Sequence, residues 1–408
     1  MRVAIVGTGI SGLGAAHRLK DDVDLTLYES SDWVGGHSHT VDVEIAGVSL
    51  AVDTGFIVYN TQTYPLLTSL FAELGVETEP SNMSFAIAGT PVEYEGSLAG
   101  MAASPLALLR ISHWQMIRDI LRFNRYIQTV DIDDPELRLG DLTAGYSSAF
   151  RERYLLPMGA AIWSTPAAEM ADYPAATLAR FFRNHGLVQL RNRPQWRTVS
   201  GGSRRYVEKL SAPFSQNIHL DEPVVSVRRD SSGVEILSSS GSERFDQVIF
   251  ATHADTTLAL LGSESTSQEQ SVLGSFAYSR NRAVLHTDPR FMPKHRRAWA
   301  SWNVRTGNEG DLPSVTYWMN RLQNLTTDVP VFVSLNPSEE PDHQLGSWEY
   351  DHPMFDRAAI SAQAELPSIQ GTKRSYYCGA YARYGFHEDG LMSGYGAADA
   401  LLRQPADL

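Results

Sequence analysis

Short apolar runs alternate with polar turns along the first thirty residues of the chain. Residues 3–6 read Val-Ala-Ile-Val, a run of strand-forming residues, and residues 24–28 carry a second strand pattern, Asp-Leu-Thr-Leu-Tyr. Between them, residues 10–19 are rich in Ala and Leu and predict a helix. The chain therefore opens with a strand, a helix and a second strand.

Further patterns follow along the chain. Residues 222–257 read as alternating strands around a Ser-Ser-Gly turn, and they end in an apolar strand at residues 248–250. Leu, Ile and Met recur at helical spacing over residues 105–127, whereas the stretches VTYWMN and VFVSLN alternate like strands. Near the C-terminus the pattern predicts a strand ending at Gly379 and a helix from about Gly390.

Composition and charge argue against a nucleic-acid-binding protein and against a membrane-spanning one. The chain has 408 residues, enough for one extended domain or two lobes, and its formal net charge of -13 argues against a nucleic-acid binder. No stretch approaches 18 uninterrupted apolar residues, so we expect no membrane span. A first strand that begins at Arg2 leaves no room for a signal peptide, and the single cysteine, Cys378, fits a reducing compartment. These features predict a cytoplasmic protein and leave its oligomeric state open.

The first turn carries the spacing of a dinucleotide-binding loop. Gly7 allows a tight turn, Gly9 lets the backbone approach a pyrophosphate, and Gly12 lets the helix pack closely on the strand. Backbone N–H groups at the helix start then face the phosphates. Glu29 follows the second strand, where a carboxylate can accept hydrogen bonds from a ribose diol. We therefore expect a bound dinucleotide.

The stretch SSDWVGGHSHT, which follows Glu29, distinguishes FAD from NAD. Its Gly35-Gly36 pair resembles the second glycine motif of the flavin amine oxidase and phytoene desaturase superfamily, in which Gly-Gly-Arg continues the pyrophosphate cradle. His37 stands where that Arg is usual, which replaces a permanent cation by a group only partly charged near neutral pH. The resemblance implies FAD, with phosphate contacts that come mostly from backbone amides.

Two later regions extend this resemblance. In the superfamily the first strand of residues 222–257 lies against the adenine, and the Ala-Thr turn after residue 250 closes the nucleotide domain. Gly390, Gly394 and Gly396 are unfavourable inside a helix, which favours close backbone approach to a ring. The start of this helix would direct its positive end at the flavin N1 and C2 carbonyl. The residues assigned to FAD are Gly7, Gly9, Ser11, Gly12, Glu29, Gly35, Gly36, His37, Ser38, Thr54, Gly55, Phe56, Val225, Ala251, Gly379, Gly390, Leu391 and Ser393.

A narrower resemblance covers nearly the whole chain. The blocks GGHSHTVDV, VDTGFIVYN, YLLPMGAAIWST, FFRNHGL, RPQWRTVSGGSRRYV, NRAVLHTD, WASWN and GFHEDGLMSG are similar to flavoproteins related to the N-terminal flavin domain of plant cyclopropane fatty-acid synthases. This resemblance implies a lipid context. It does not specify the bond that is attacked.

The order of the segments predicts the architecture. We expect an α/β Rossmann-type FAD-binding domain, interleaved with an α+β substrate domain. The FAD-binding domain comprises residues 1–60, 200–265 and 365–408, and the substrate domain comprises residues 61–199 and 266–364. The isoalloxazine ring would then lie at the interface between the two lobes, which is a usual place for a pocket.

Candidate chemistry centres on the stretch RYGFHEDG, which precedes the C-terminal helix. His387 and Glu388 are candidates for acid/base or anchoring roles, and Tyr384 for a hydrogen-bond donor. The alternative is that Asp389 caps the helix, Glu388 complements its dipole and His387 is merely hydrogen-bonded. Tyr59 is a further candidate, with simple packing as its alternative. The histidines show no metal-ligand spacing, and we predict no metal site.

The sequence leaves three functions open. The first is an FAD-dependent oxidase, desaturase or isomerase that acts on an unsaturated or modified fatty acyl chain. The second is an amine oxidase; against it, Phe386 and Arg282 stand where such enzymes typically have a Tyr and a Lys. The third is a flavin-bound module that docks onto a lipid methyltransferase.

Cations are concentrated in two places. Arg118, Arg122 and Arg125 fall on one helical face with Trp114 a turn before them, so this helix can lie on an anionic bilayer. This predicts peripheral contact at the inner membrane face. Residues 174–207 hold seven arginines and no acid, a candidate site for a carboxylate or lipid phosphate: Arg180, Arg183, Arg191, Arg193, Arg197, Arg204 and Arg205. The alternatives are a solvated cationic face and salt bridges.

Overall fold

The computed structural model describes residues 1–90, 92–129, 134, 136–163, 165–184, 194–305 and 312–403. The strands are β1 (Arg2–Val6), β2 (Asp24–Tyr28), β3 (Thr40–Ile45), β4 (Val48–Asp53), β5 (Tyr59–Asn60), β6 (Thr78–Pro80), β7 (Phe85–Ala88), β8 (Tyr94–Glu95), β9 (Trp196–Val199), β10 (Ile218–His219), β11 (Val224–Asp230), β12 (Gly233–Ser238), β13 (Gly241–Phe245), β14 (Gln247–Phe250), β15 (Tyr278–His286), β16 (Trp302–Arg305), β17 (Ser314–Trp318), β18 (Phe332–Leu335), β19 (Gln344–Pro353) and β20 (Ser375–Tyr377). The helices are α1 (Ile10–Leu19), α2 (Pro65–Glu73), α3 (Leu98–Met101), α4 (Pro105–Leu108), α5 (Ile111–Thr129), α6 (Leu139–Leu142), α7 (Ser148–Phe150), α8 (Leu156–Trp163), α9 (Ala175–Asn184), α10 (Arg204–Ser211), α11 (Ala254–Leu261), α12 (Ser267–Leu273), α13 (Met319–Leu322), α14 (Arg357–Ile369) and α15 (His387–Arg403).

A parallel five-stranded sheet forms the centre of the first lobe. Its strand order is β10-β2-β1-β14-β20, and every pair in it is parallel. The side chains of β1 from Val3 to Val6 are buried on both faces, which explains the uncharged apolar run. The predicted opening of strand, helix and strand is confirmed by β1, α1 and β2.

A mixed seven-stranded sheet, in the order β19-β15-β18-β17-β16-β7-β8, belongs to the second lobe. A hydrophobic cluster joins it to α5, α8 and α9, with Phe123, Phe150 and Phe182 among its fully buried members. The first insert is mainly helical and the second mainly strands, as the sequence patterns predict. The mixed α/β architecture is confirmed.

The strands of the parallel sheet come from three separate parts of the chain. β1 and β2 lie in residues 1–60, β10 and β14 in residues 200–265, and β20 in residues 365–408. Strands β15 to β19, by contrast, all lie in residues 266–364. This distribution supports the interleaved lobe boundaries, which we retain as a proposal.

Two helix boundaries differ from their predicted positions. The single helical pattern over residues 105–127 is divided into α4 and α5, with Leu109 and Arg110 between them. α15 begins at His387, three residues before the predicted start. The early start is stabilised by Asp389, whose carboxylate accepts a hydrogen bond from the Phe386 backbone N–H at 3.0 Å.

Two glycines of α15, Gly390 and Gly394, serve helix packing, which corrects the expected approach of these glycines to a flavin ring. A Cβ on Gly394 would lie 2.1 Å from the Ser11 carbonyl oxygen of α1, and one on Gly390 would lie 2.8 Å from Ile10 Cγ2. Gly396, on the exposed side, would have no neighbour within 4 Å. The close approach is therefore between α15 and α1.

A matched pair of variants tests this packing. We expect Gly394→Ala to destabilise the protein by about 1–3 kcal/mol, since the new methyl group meets a backbone oxygen that has little room to move. Gly396→Ala should instead stabilise it by up to about 1 kcal/mol, because alanine is the better helix former in open space. Thermal unfolding measures both. Equal effects of the two variants would contradict the packing argument.

Candidate functional site

A cavity of about 1070 Å³ lies between the lobes, beside the carboxyl ends of the parallel strands. Its nucleotide side is lined by residues of the loops after β1, β2 and β14, and its substrate side by residues of the mixed sheet and of α5, α8 and α9. The carboxyl ends of parallel strands are where open α/β sheets bind their ligands. This cavity is therefore the candidate active site.

The glycine loop after β1 has the predicted geometry. Gly7 adopts φ +101°, and a Cβ there would meet the Ala251 carbonyl oxygen at 2.9 Å. A Cβ on Gly12 would come within 2.0 Å of the Gly7 oxygen, so strand and helix pack as closely as the motif requires. Gly9 lines the cavity, and a Cβ there would meet no protein atom within 4 Å. The loop thus exposes backbone to the cavity at Gly9.

Glu29 lies beside this loop, with its carboxylate largely buried. One oxygen accepts hydrogen bonds from the backbone N–H and the hydroxyl of Thr8, at 2.9 and 2.7 Å. The other accepts from the Ser31 N–H at 3.0 Å. Glu29 also lines the cavity, so the carboxylate that shapes the loop is at the same time available to a ligand.

The Gly35-Gly36 pair packs directly on the glycine loop. Gly35 forms a parallel bridge with Gly9, and a Cβ on Gly36 would lie 3.1 Å from the Gly9 Cα. The backbone of Gly55 passes under this turn, because a Cβ there would meet the His37 oxygen at 2.2 Å. Thr54 is fixed by a hydrogen bond between its hydroxyl and that of Tyr350, at 2.7 Å.

His37 belongs to a group of imidazoles on the cavity wall. Its ring centroid lies 5.7 Å from that of His352 and 6.3 Å from that of His253. Enclosure by protein lowers the pKa of His37 well below its ordinary value, and lowers the pKa of His352 to about 4. These rings are uncharged at neutral pH, so positive potential for a phosphate comes from backbone N–H groups and the start of α1.

His387 is held by a small network at the start of α15. Its Nε2 lies 2.6 Å from the Tyr206 hydroxyl and 3.2 Å from the Ser38 hydroxyl. Its ring stacks on Phe56 with the centroids 3.8 Å apart. Burial lowers its pKa to about 3, so the imidazole is neutral and serves as a hydrogen-bonding and stacking group at neutral pH.

Glu388 points away from the cavity and binds a neighbouring helix. Its two carboxylate oxygens accept hydrogen bonds from the Leu66 and Leu67 backbone N–H groups, at 2.8 and 3.0 Å, in the first turn of α2. These N–H groups have no partner within their own helix, and a carboxylate also complements the helix dipole there. Glu388 therefore does complement a helix dipole, but the helix is α2 and not α15.

The remaining predicted residues divide into two groups. Tyr384, Ser11, Ala251 and Gly379 line the cavity together with the glycine loops. A second group does not line it: Tyr59, Gly12, Ser38, Val225, Glu388, Gly390, Leu391 and Ser393.

Packing or hydrogen bonding accounts for members of that second group. The Tyr59 ring is buried against Phe71, with centroids 5.2 Å apart. Val225 is exposed, and its neighbour Val224 lines the cavity instead, next to an irregularity in the strand register. The Ser393 hydroxyl accepts a hydrogen bond from the Gly379 N–H at 3.1 Å and so holds the preceding turn.

Three residues of the site were not predicted from the sequence. His253 follows the predicted Ala-Thr turn directly and could have been found from that adjacency. His352 comes from β19, and Tyr206 from α10, far along the chain from the residues they meet. No local spacing signals such contacts, since they depend on how the lobes are joined.

The described arginines of residues 174–207, predicted as a candidate site for a carboxylate or lipid phosphate, do not line the cavity. Arg204 pairs with Asp42 and Arg205 with Glu208, while Arg197 binds Thr78. The structure thus favours the salt-bridge alternative for this part of the cluster. Two members of the cluster, Arg191 and Arg193, lie outside the described residues.

Comparison with known proteins identifies the family. The model of the family described as flavin containing amine oxidoreductase matches residues 10–345. The chain belongs to this family. It is therefore a flavin-containing oxidoreductase, and FAD is its expected cofactor. The narrower resemblance to the plant synthase domain stays a prediction.

Individual relatives are distant. AofH of Mycobacterium tuberculosis, named a flavin-containing monoamine oxidase, is 22% identical over 363 residues, which cover 83% of this chain and 71% of AofH. Among solved structures, cyclohexylamine oxidase from Brevibacterium oxydans is 15% identical with a TM-score of 0.71, and a CLA-producing fatty acid isomerase from P. acnes is 13% identical with a TM-score of 0.70. Each comparison covers 98% of both chains. These structures share the fold.

The residues present fit FAD. A pyrophosphate needs close approach to backbone and N–H donors, which Gly9 and the start of α1 provide. A ribose needs a hydrogen-bond acceptor, which the Glu29 carboxylate provides. Within the described part of the chain, no helix combines the length and hydropathy needed to cross a bilayer.

We expect the FAD to be bound without a covalent link. Cys378, the single cysteine, is buried and does not line the cavity, and burial raises the pKa of its thiol to about 12. A thiol in that state is a poor nucleophile. Acid precipitation of the purified protein should leave a yellow supernatant. A yellow pellet would contradict this expectation.

Proposed function

We propose that this oxidoreductase oxidises, desaturates or isomerises an unsaturated or modified fatty acyl chain. The observation that carries the proposal is the apolar character of the substrate side of the cavity. Most of this wall consists of aliphatic, thioether and aromatic side chains, with a few polar ones such as Glu95 and Asn124 among them; the apolar members include Phe85, Met101, Ile120, Met158, Ile162, Trp163, Phe181, Trp302, Phe355 and Phe386. A long hydrocarbon chain gains free energy from burial against such a wall.

Charge supports the same substrate class. No Lys or Arg occurs among the described residues that line the cavity. Arg282, which the sequence aligns with the typical amine oxidase Lys, lies outside the cavity and forms an ion pair with Glu340, so it does not take the position of that Lys. A substrate whose main part is uncharged fits this wall better than a small polar one.

The residues on the nucleotide side of the cavity wall have distinct roles in this proposal. FAD, when bound, supplies the redox chemistry. Phe56 and His387 form a fixed stack at the cavity wall, and Tyr206 and Ser38 hold the imidazole in place. Tyr384 donates a hydrogen bond to the substrate, whereas Tyr59 and Glu388 have structural roles. The start of α15 directs its positive end into the cavity at His387.

An amine is the second candidate substrate. The observation in its favour is Glu95, a carboxylate from β8 that lines the substrate side of the cavity and accepts hydrogen bonds from Ser97. A carboxylate in an apolar wall can stabilise a substrate ammonium group. The family assignment identifies an oxidoreductase, so we do not propose the non-catalytic module.

A matched set of ligands separates the two candidates. Laurate and dodecylamine carry equally long chains with opposite charges, and putrescine is an amine without a long chain. The acyl proposal expects laurate to perturb the flavin spectrum of the holoprotein and putrescine to leave it unchanged. If only the two amines act, and Glu95→Gln abolishes their effect, the amine function replaces the acyl function.

We further propose that the protein takes its substrate from an anionic membrane surface, as a cytoplasmic protein in peripheral contact. The exposed face of α5 and of the turn before it, which we call the basic-apolar face, consists of Leu109, Ile111, Trp114, Arg118, Arg122 and Arg125. The opposite face of α5 carries Ile120, which lines the cavity. The same helix thus connects a lipid-facing surface to the substrate wall.

A further inference from the structure

The buried face of α5 carries three polar residues among its apolar ones. His113 and Asp119 are fully buried and have protein partners: the His113 Nε2 binds the Met101 carbonyl at 3.0 Å, and Asp119 accepts from the Ser147 N–H at 2.9 Å. Asn124 differs from both. Only 5% of it is exposed, and its carboxamide has no hydrogen-bond partner among the described residues.

Asn124 lines the substrate side of the cavity. Ile120, one turn earlier on α5, and Met158 of α8 line the same wall. Its amide atoms are not among the fully enclosed side-chain atoms without a partner, so they face the cavity and can bond to a molecule that occupies it. A few placed polar groups in an otherwise apolar pocket are the usual means by which a ligand is oriented.

We infer that the Asn124 carboxamide binds an uncharged polar group of the substrate, such as a carbonyl or a hydroxyl. This inference rests on the proposed acyl function and adds to it a position at which the chain is recognised. A carboxamide both donates and accepts, so it matches a neutral carbonyl or hydroxyl. Asn124 itself does not suit a carboxylate, which would need a cation beside it, and no Lys or Arg lines the described part of the cavity; the carboxylate of a fatty acid such as laurate would therefore lie away from this residue.

The Asn124→Leu variant tests the inference through stability first. Leucine keeps the approximate volume and removes the unpaired amide, so we expect the melting temperature to stay equal to that of the wild type or to rise. Met158→Leu is the control, because it changes shape in the same wall and removes no hydrogen-bonding group. A melting temperature well below that of this control would show that Asn124 holds the fold together, and would overturn the inference.

Ligand binding to the holoprotein is the second readout, with decanamide, decanol and decane as probes. We expect Asn124→Leu to weaken decanamide and decanol binding about tenfold, which corresponds to one lost hydrogen bond, and to leave decane binding unchanged. Met158→Leu should affect all three probes alike. If the wild type binds the probes and Asn124→Leu binds decanamide equally well, the inference is wrong and the acyl function stands. If the wild type binds none of them, the acyl function fails, and this assignment fails with it.

Discussion

Replacing Glu29 with alanine is expected to weaken FAD binding by about 1.5–3 kcal/mol, which is roughly ten- to a hundredfold, through the loss of charge-assisted hydrogen bonds. The structure adds a second reason. Glu29 accepts hydrogen bonds from both the backbone and the hydroxyl of Thr8, so its removal also releases the loop that faces the phosphates. Titration of the apoprotein with FAD, followed by flavin fluorescence, measures the change.

Glu29→Gln is the matched variant for this experiment. Its amide oxygen can still accept from Thr8, but the negative charge is gone, so we expect a loss of affinity smaller than that of Glu29→Ala. Unchanged affinity in both variants would show that the carboxylate does not bind the ribose. Equal losses in both would show that the charge matters more than the geometry of the loop.

Reversing the charge of Arg118, Arg122 and Arg125 to Glu should abolish binding to anionic vesicles. A basic side chain near an anionic surface contributes about 1 kcal/mol, so three of them account for roughly a hundredfold in affinity even before the added repulsion. Arg118, Arg122 and Arg125 are all exposed, although Arg118 forms an ion pair with Asp119 and Arg122 stacks over Tyr146. Leu109 and Ile111, 81% and 76% exposed, supply apolar contact beside them.

Co-sedimentation with phosphatidylserine-containing and neutral vesicles, at low and high salt, measures this effect. The control is a second triple variant, Arg228, Arg297 and Arg403 to Glu, which changes the net charge equally on exposed sites elsewhere. Loss of binding in the first variant alone supports the basic-apolar face. Equal loss of binding in both variants would show that only the net charge of the protein matters. If the wild-type protein does not bind anionic vesicles even at low salt, the proposed membrane contact is wrong.

The nucleotide side of the cavity was predictable because its determinants are local. Gly7, Gly12 and Glu29 act through a tight turn, a close packing distance and a strand end, all of which are encoded within thirty residues. The amphipathic face of α5 was predictable for the same reason, since a helical period places its arginines together. Both predictions depend only on neighbours in the sequence.

The roles of residues in α15 could not be predicted from the sequence, because they depend on contacts with distant parts of the chain. Glu388 reaches α2, more than three hundred residues away in the chain, and Gly394 faces α1. A glycine kept for helix packing and one kept for a ligand look identical in a sequence. The unpaired amide of Asn124 is likewise visible only when its surroundings are known, because helical spacing places it on the buried face beside partnered polar residues.

The most direct test of the proposed function is anaerobic mixing of the purified holoprotein with extracted phospholipids, free fatty acids or polyamines, while the flavin absorbance band is recorded. The apolar wall predicts that a phospholipid or fatty acid bleaches or shifts the band, and that polyamines leave it unchanged. Rapid bleaching by polyamines, with no response to either lipid class, would contradict the account and assign the cavity to an amine.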